Sequence, residues 1–130
     1  MKQGYLLLVL HAHLPFVRHP EHEDFFEEHW LFEAITETYV PLIEFFDRLS
    51  LEGIPFRLTM SVTPTLTSML EDSLLQERYF RYLNKRIELA EKEMERTRSD
   101  PRFHPLAEMY HRQFLKVREV FFNRYGANLI

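Results

Sequence analysis

Leu6-Leu-Leu-Val-Leu-His-Ala-His-Leu-Pro-Phe-Val-Arg18 is the stretch that decides the fold class of this 130-residue chain. An apolar run of strand length ends on two histidines. Leu14-Pro15 then closes it, because proline has no N–H for a sheet ladder and pushes the residue before it out of helical geometry. Side chains alternate across a strand, so His11 and His13 share one face where the strand stops. In α/β architectures the carboxyl edge of a parallel sheet or barrel is where ligands bind. The stretch therefore predicts a buried strand and a functional edge together.

Working outward, residues 18–24 are polar and irregular and would lie beside the histidines as a functional-side loop. Residues 26–49 carry Trp30, Ala34, Ile35, Thr38, Leu42, Phe45, Phe46 and Leu49 at three-to-four spacing, which predicts a long amphipathic helix with these residues on its apolar face. Pro41 should kink it or divide it, and Gly53 should stop it. Residues 54–62 read as a second strand, and Thr63-Pro64 as a helix start, with threonine capping and proline at the first position. Strand, helix, strand, helix argues for parallel strands joined by crossovers, with both strand ends opening on one side.

Residues 72–98 predict a charged amphipathic helix with Leu75, Tyr79, Tyr82, Leu83, Ile87, Ala90 and Met94 on its stripe. Ser99-Asp100-Pro101 breaks it. Residues 106–124 predict its partner, with Met109, Tyr110, Phe114, Val117, Val120 and Phe121 inward. This helical hairpin is longer than a crossover needs. Gly126 to Ile130 would begin a third strand. Two parallel strands leave apolar faces and edges uncovered, so a truncated chain, or one completed by another polypeptide, is expected.

Composition bounds the chemistry. A 45% hydrophobic, 15% aromatic chain is globular, and its net charge of -4 with interspersed signs predicts no nucleic acid and no membrane as partner. There are no cysteines, which excludes disulfides and thiolate chemistry, and three scattered glycines cannot form a phosphate loop. The amino-terminal apolar run is too short for a signal peptide or a membrane span, so a soluble cytoplasmic protein is expected.

At the strand end two readings stay open. Neutral imidazoles at His11 and His13 can ligate zinc if further ligands arrive from other strands, or hydrogen-bond sugar hydroxyls beside a carboxylate pair. Arg18 is placed to pair with a substrate group or an active-site carboxylate. Trp30, the only tryptophan, reads as core packing ahead of a sugar platform. His19, His22 and His29 with Glu21, Glu23 and Asp24 match no metal signature and read as a solvated loop. Glu33 and Glu37, one turn apart, lack a helical histidine partner. Ser61, Thr63 and Thr65 have no nucleophile elbow around them and read as caps.

The run Gly4 to Pro20 containing HAHLPFVR, with Trp30-Leu-Phe-Glu-Ala-Ile-Thr-Glu-Thr-Tyr-Val-Pro-Leu42 and Ser61-Val-Thr-Pro-Thr-Leu66, resembles the amino-terminal part of family 57 glycoside hydrolases, nearest their 1,4-α-glucan branching enzymes. The resemblance covers nearly all 130 residues. It implies α/β architecture in which residues 1–130 form the amino-terminal βα units of an incomplete (β/α)7 TIM-like barrel, with a helical hairpin insertion. It implies an α-1,4-glucan substrate, no cofactor and no metal, and a retaining mechanism with a glutamate nucleophile and an aspartate acid/base on later strands. This chain would hold neither carboxylate. His11 and His13 would be substrate-binding residues, with Arg18 and Trp30 beside them, in a chain inactive by itself and lacking the carboxy-terminal part of the barrel.

Two other readings compete. A metal-dependent hydrolase barrel of the amidohydrolase kind also ends its first strand in HxH. A noncatalytic helical interaction module would draw on the hairpin and the unfinished sheet.

Overall fold

The computed structural model describes residues 4–130 as one parallel strand pair with helices stacked against it. Strand β1 (Val9–Ala12) runs through a loop into helix α1 (Glu28–Ala34), a π-helical segment (Ile35–Tyr39) and helix α2 (Val40–Leu51). Strand β2 (Thr59–Val62) returns parallel to β1 and leads into α3 (Pro64–Leu70), then α4 (Ser73–Thr97) and α5 (His104–Arg118), which ends in a second π-helical segment (Glu119–Arg124). The predicted α/β order and the parallel pairing hold.

Both strands are shorter than their apolar runs. Pairing is limited to four rungs, Val9 with Thr59 through Ala12 with Val62, because a strand exists only where a partner answers its ladder groups. The expected buried strand from residue 6 is therefore corrected: Tyr5 and Leu6 are 95% exposed, and Leu7, Leu8 and Val9 are also exposed. Residues 54–58 are likewise outside the second strand. No third strand forms at residues 126–130. Gly126 and Ala127 both take positive φ and turn the chain, and the Ala127 N–H reaches back to the Phe121 carbonyl at 2.9 Å.

Pro41 neither breaks the first helix nor ends it. Its missing N–H would have bonded to the carbonyl of Glu37, and the widened π turn at Ile35–Tyr39 absorbs that loss in an otherwise continuous helix. Gly53 stops α2 as expected. Its φ of 67° forms a Schellman turn, with Gly53 N–H on the Ser50 carbonyl at 3.1 Å and Ile54 N–H on Leu49 at 3.0 Å. Thr63 caps α3 by accepting the Leu66 N–H at 3.4 Å, and Asp72 caps α4 by accepting the Leu75 N–H at 3.0 Å.

The core lies where α1, α3, α4 and the end of α5 meet, around Leu31, Phe32, Ile35, Leu66, Met69, Tyr79, Leu83 and Phe121. The long helix is thus rotated from its expected face: Leu31 and Phe32 are buried, while Trp30 and Phe45 are exposed. Tyr79 sits centrally, its hydroxyl 2.8 Å from Thr36 Oγ1, which itself donates to the Phe32 carbonyl. Burial pushes the Tyr79 phenol well above its ordinary pKa, so it stays protonated and keeps this bond. On α5 only Val117 is buried and Val120 and Phe121 follow it; Met109 and Tyr110, expected inward, are exposed. The outer face of α4 carries charge pairs one helical turn apart, Glu77 with Arg81 and Glu93 with Arg96. Among the described residues no helix is long and apolar enough to cross a membrane.

Candidate functional site

Register builds the site. His11 pairs with Ser61 across the two strands, so strand alternation puts both on one face and puts Ala12 and Val62 on the other. On the second face Ala12 is buried, while Met60 and Val62 remain exposed and line with it an apolar groove of about 140 Å³ shared with Leu42, Phe46 and Leu66. The histidine face is open. The Nδ1 of His11 makes a short hydrogen bond with Ser61 Oγ, and the His13 ring stacks on it with centroids 5.8 Å apart and planes 21° apart. Both imidazoles are exposed at the strand's end, as the two-residue spacing predicts.

Ser61 is therefore more than a cap. The hydroxyl can donate to Nδ1 or accept from it, and in either role it ties down one edge of the ring and leaves Nε2 out of that bond. Two stacked imidazoles with one edge tethered suit adjacent hydroxyls on a ligand. Among the described residues no group of three or more histidines, aspartates or glutamates is arranged to hold a metal ion.

Arg18 does not reach this face. Its Nε lies 2.6 Å from Asp72 Oδ2, the carboxylate that caps α4, so its partner is a helix cap and the contact ties the loop to a helix end. Trp30 stands in the first turn of α1 with 45% of its surface exposed, which corrects its expected place in the core. The structure brings His11 and His13 together with Ser61, and attaches Arg18 and Trp30 to neighbouring elements of the loop that follows β1.

That loop is not simply a solvated one. The side chains of residues 19–23 are turned outward, with His22 stacked on Phe25, His19 tilted against the same ring, and His19 Nδ1 3.1 Å from Glu21 Oε1. A hydrogen bond from its own backbone, and then one from His19, hold the Glu21 carboxyl below its ordinary pKa. Its backbone, however, is bound from beneath. Arg78 of α4 donates to the carbonyls of His19 and His22 and pairs with Glu28, and both charged groups are buried. Sequence patterning missed Glu28 and Arg78, because each reads as one more charge on an amphipathic helix. Arg78 sits directly before Tyr79 on the buried stripe, and that adjacency was the available signal.

A sequence profile of glycosyl hydrolase family 57 matches residues 7–129. The 1,4-alpha-glucan branching enzyme TK1436 of Thermococcus kodakarensis is 38% identical over 98 residues, which are 75% of this chain and 14% of that protein. The solved structure of the alpha-amylase AmyC from Thermotoga maritima superposes with a TM-score of 0.90 at 50% identity, over 98% of this chain and 24% of the other. The GH57-type branching enzyme from Pyrococcus horikoshii superposes with a TM-score of 0.86 at 31% identity, over 98% of this chain and 23% of its own. This chain thus spans less than a quarter of the length of each.

Proposed function

The chain belongs to glycosyl hydrolase family 57, and from that footing we propose that it is the substrate-orienting amino-terminal part of an α-1,4-glucan-active barrel. The observation that carries this reading is the open strand end on which His11, tethered by Ser61, stacks beside His13. The free ring edges offer a donor or acceptor each to neighbouring hydroxyls of one glucosyl unit. The exposed indole of Trp30 supplies an apolar face for the C–H side of a sugar ring, and Arg18, held by Asp72, borders the same loop.

In this reading β1 and β2 are the first strands of an incomplete (β/α)7 barrel, and the helical hairpin α4–α5 is an insertion. The bond-making step, attack by a glutamate and proton transfer by an aspartate in a retaining mechanism, is assigned to residues outside this chain. His11 and His13 position the sugar and stabilise charge as the bond breaks. The curated branching enzyme favours transfer to a glucan hydroxyl as the reaction of the complete protein. The 50% identity to an alpha-amylase favours a second reading, transfer to water, with the same orienting groups.

The test is a titration of the chain labelled at histidine and tryptophan with maltotriose, followed by NMR. Saturable shifts of the His11, His13 and Trp30 side chains are expected, with an affinity on the order of 1 mM because an open site excludes little water. No shift at the two histidines would overturn the reading. The same chain should leave amylose unbranched in an iodine-staining assay, and branching by it alone would refute the division of labour.

A further inference from the structure

Glu28 and Arg78 are 1% and 7% exposed, and their contacts all serve one segment. Arg78 Nη1 pairs with Glu28 Oε1 and donates to the His19 carbonyl at 3.1 Å, while Nη2 donates to the His22 carbonyl. The same Glu28 oxygen accepts the His19 N–H at 3.3 Å. Arg78 Nε has no partner among the described residues, so every hydrogen bond of this guanidinium goes to the loop or to the carboxylate that ends it. At the amino end of the same helix, the capping residue Asp72 holds Arg18 at 2.6 Å, so α4 grips the loop at its start as well.

We propose that Arg78 and Glu28 are a positioning pair, a latch on α4 that sets the path of the loop between β1 and α1 and so aims Trp30 at the ligand held by His11 and His13. The ligand named here rests on the sugar-handling reading; the latch itself does not. A buried ion pair is a poor device for stability alone, since apolar residues of similar volume often do as well. Apolar residues cannot, however, satisfy two carbonyls turned inward at one point. The particular effect of the pair is therefore on where the loop runs. Trp30 follows Glu28 by two residues in the first turn of α1, so anchoring Glu28 sets the direction in which the half-exposed indole leaves the helix.

The experiment uses the full chain and three variants: Arg78→Lys, Glu28→Gln, and the paired apolar replacement Arg78→Met with Glu28→Leu. Thermal unfolding, amide exchange at His19 and His22 against Leu83 in α4, and the Trp30 indole response to maltotriose are read on each. The paired variant should keep its melting temperature and its Leu83 protection, yet exchange at His19 and His22 should rise roughly tenfold or more, as expected for loss of charge-assisted bonds. Its Trp30 response should need roughly tenfold more maltotriose.

Wild-type protection at His19 and His22 together with a wild-type Trp30 response in the paired variant would overturn the proposal and leave the pair as packing. If the paired variant does not fold, the two single variants decide, faster loop exchange supporting the latch and unchanged exchange refuting it. If the wild-type chain gives no maltotriose response, the sugar reading fails, and amide exchange alone decides the latch.

Discussion

Ser61 meets His11 because the parallel register sets them opposite each other on one face, fifty positions apart in the chain. Local cues cannot reveal such a partner: Ser61 sits two residues before the Thr63 cap and reads as part of the same capping signal. Replacing it, Ser61→Ala, should change the imidazole nitrogen shifts of His11 by releasing Nδ1, while stability moves by no more than about 0.5 kcal/mol, as is usual for an exposed position. Nitrogen-detected NMR with a thermal melt checks both, and an unaltered His11 spectrum would show that the serine does not orient the ring. The shared face of His11 and His13 was legible, because the two-residue period of a strand is local. The exposure of Trp30 was not, since helical periodicity ranks apolar residues without saying which side the core will lie on.

At the level of elements, the start and stop signals performed well and the ends of strands did not. Thr63 and Gly53 act through hydrogen bonds within one turn, so the residue types suffice to place the start of α3 and the end of α2. Gly53 gives a clean case: a Cβ built there meets nothing within 4 Å, so only the positive φ penalises a side chain. Gly53→Ala should therefore destabilise the chain by about 1–2 kcal/mol through backbone strain alone. Urea unfolding should show a lower midpoint at an unchanged slope, and an equal midpoint would mean the turn relaxes without loss. Pro41 was read correctly as a disturbance, but the widened π turn upstream of it, rather than a break, depends on α1 and α2 being held against the same core.

For the whole molecule, the two-stranded sheet leaves one face and the apolar residues 5–8 open to solvent. Unpaired strand edges flanked by exposed leucines favour association, so the isolated chain is expected to self-associate in sedimentation velocity. The double substitution Leu6→Lys with Leu7→Lys should shift it toward monomer without altering helix content; unchanged association would place the sticky surface elsewhere, such as the exposed Met109 and Tyr110 of α5. The sequence by itself determined the alternation of two strands with helices, the Thr63 cap and Gly53 stop, and the common face of His11 and His13, because each rests on contacts between residues within about one turn or one strand repeat. Only the tertiary structure decided how many rungs the strands share, which apolar residues are buried, that Ser61 tethers His11, and that Arg78 holds the loop. Each of those depends on a partner brought close by folding across tens of residues.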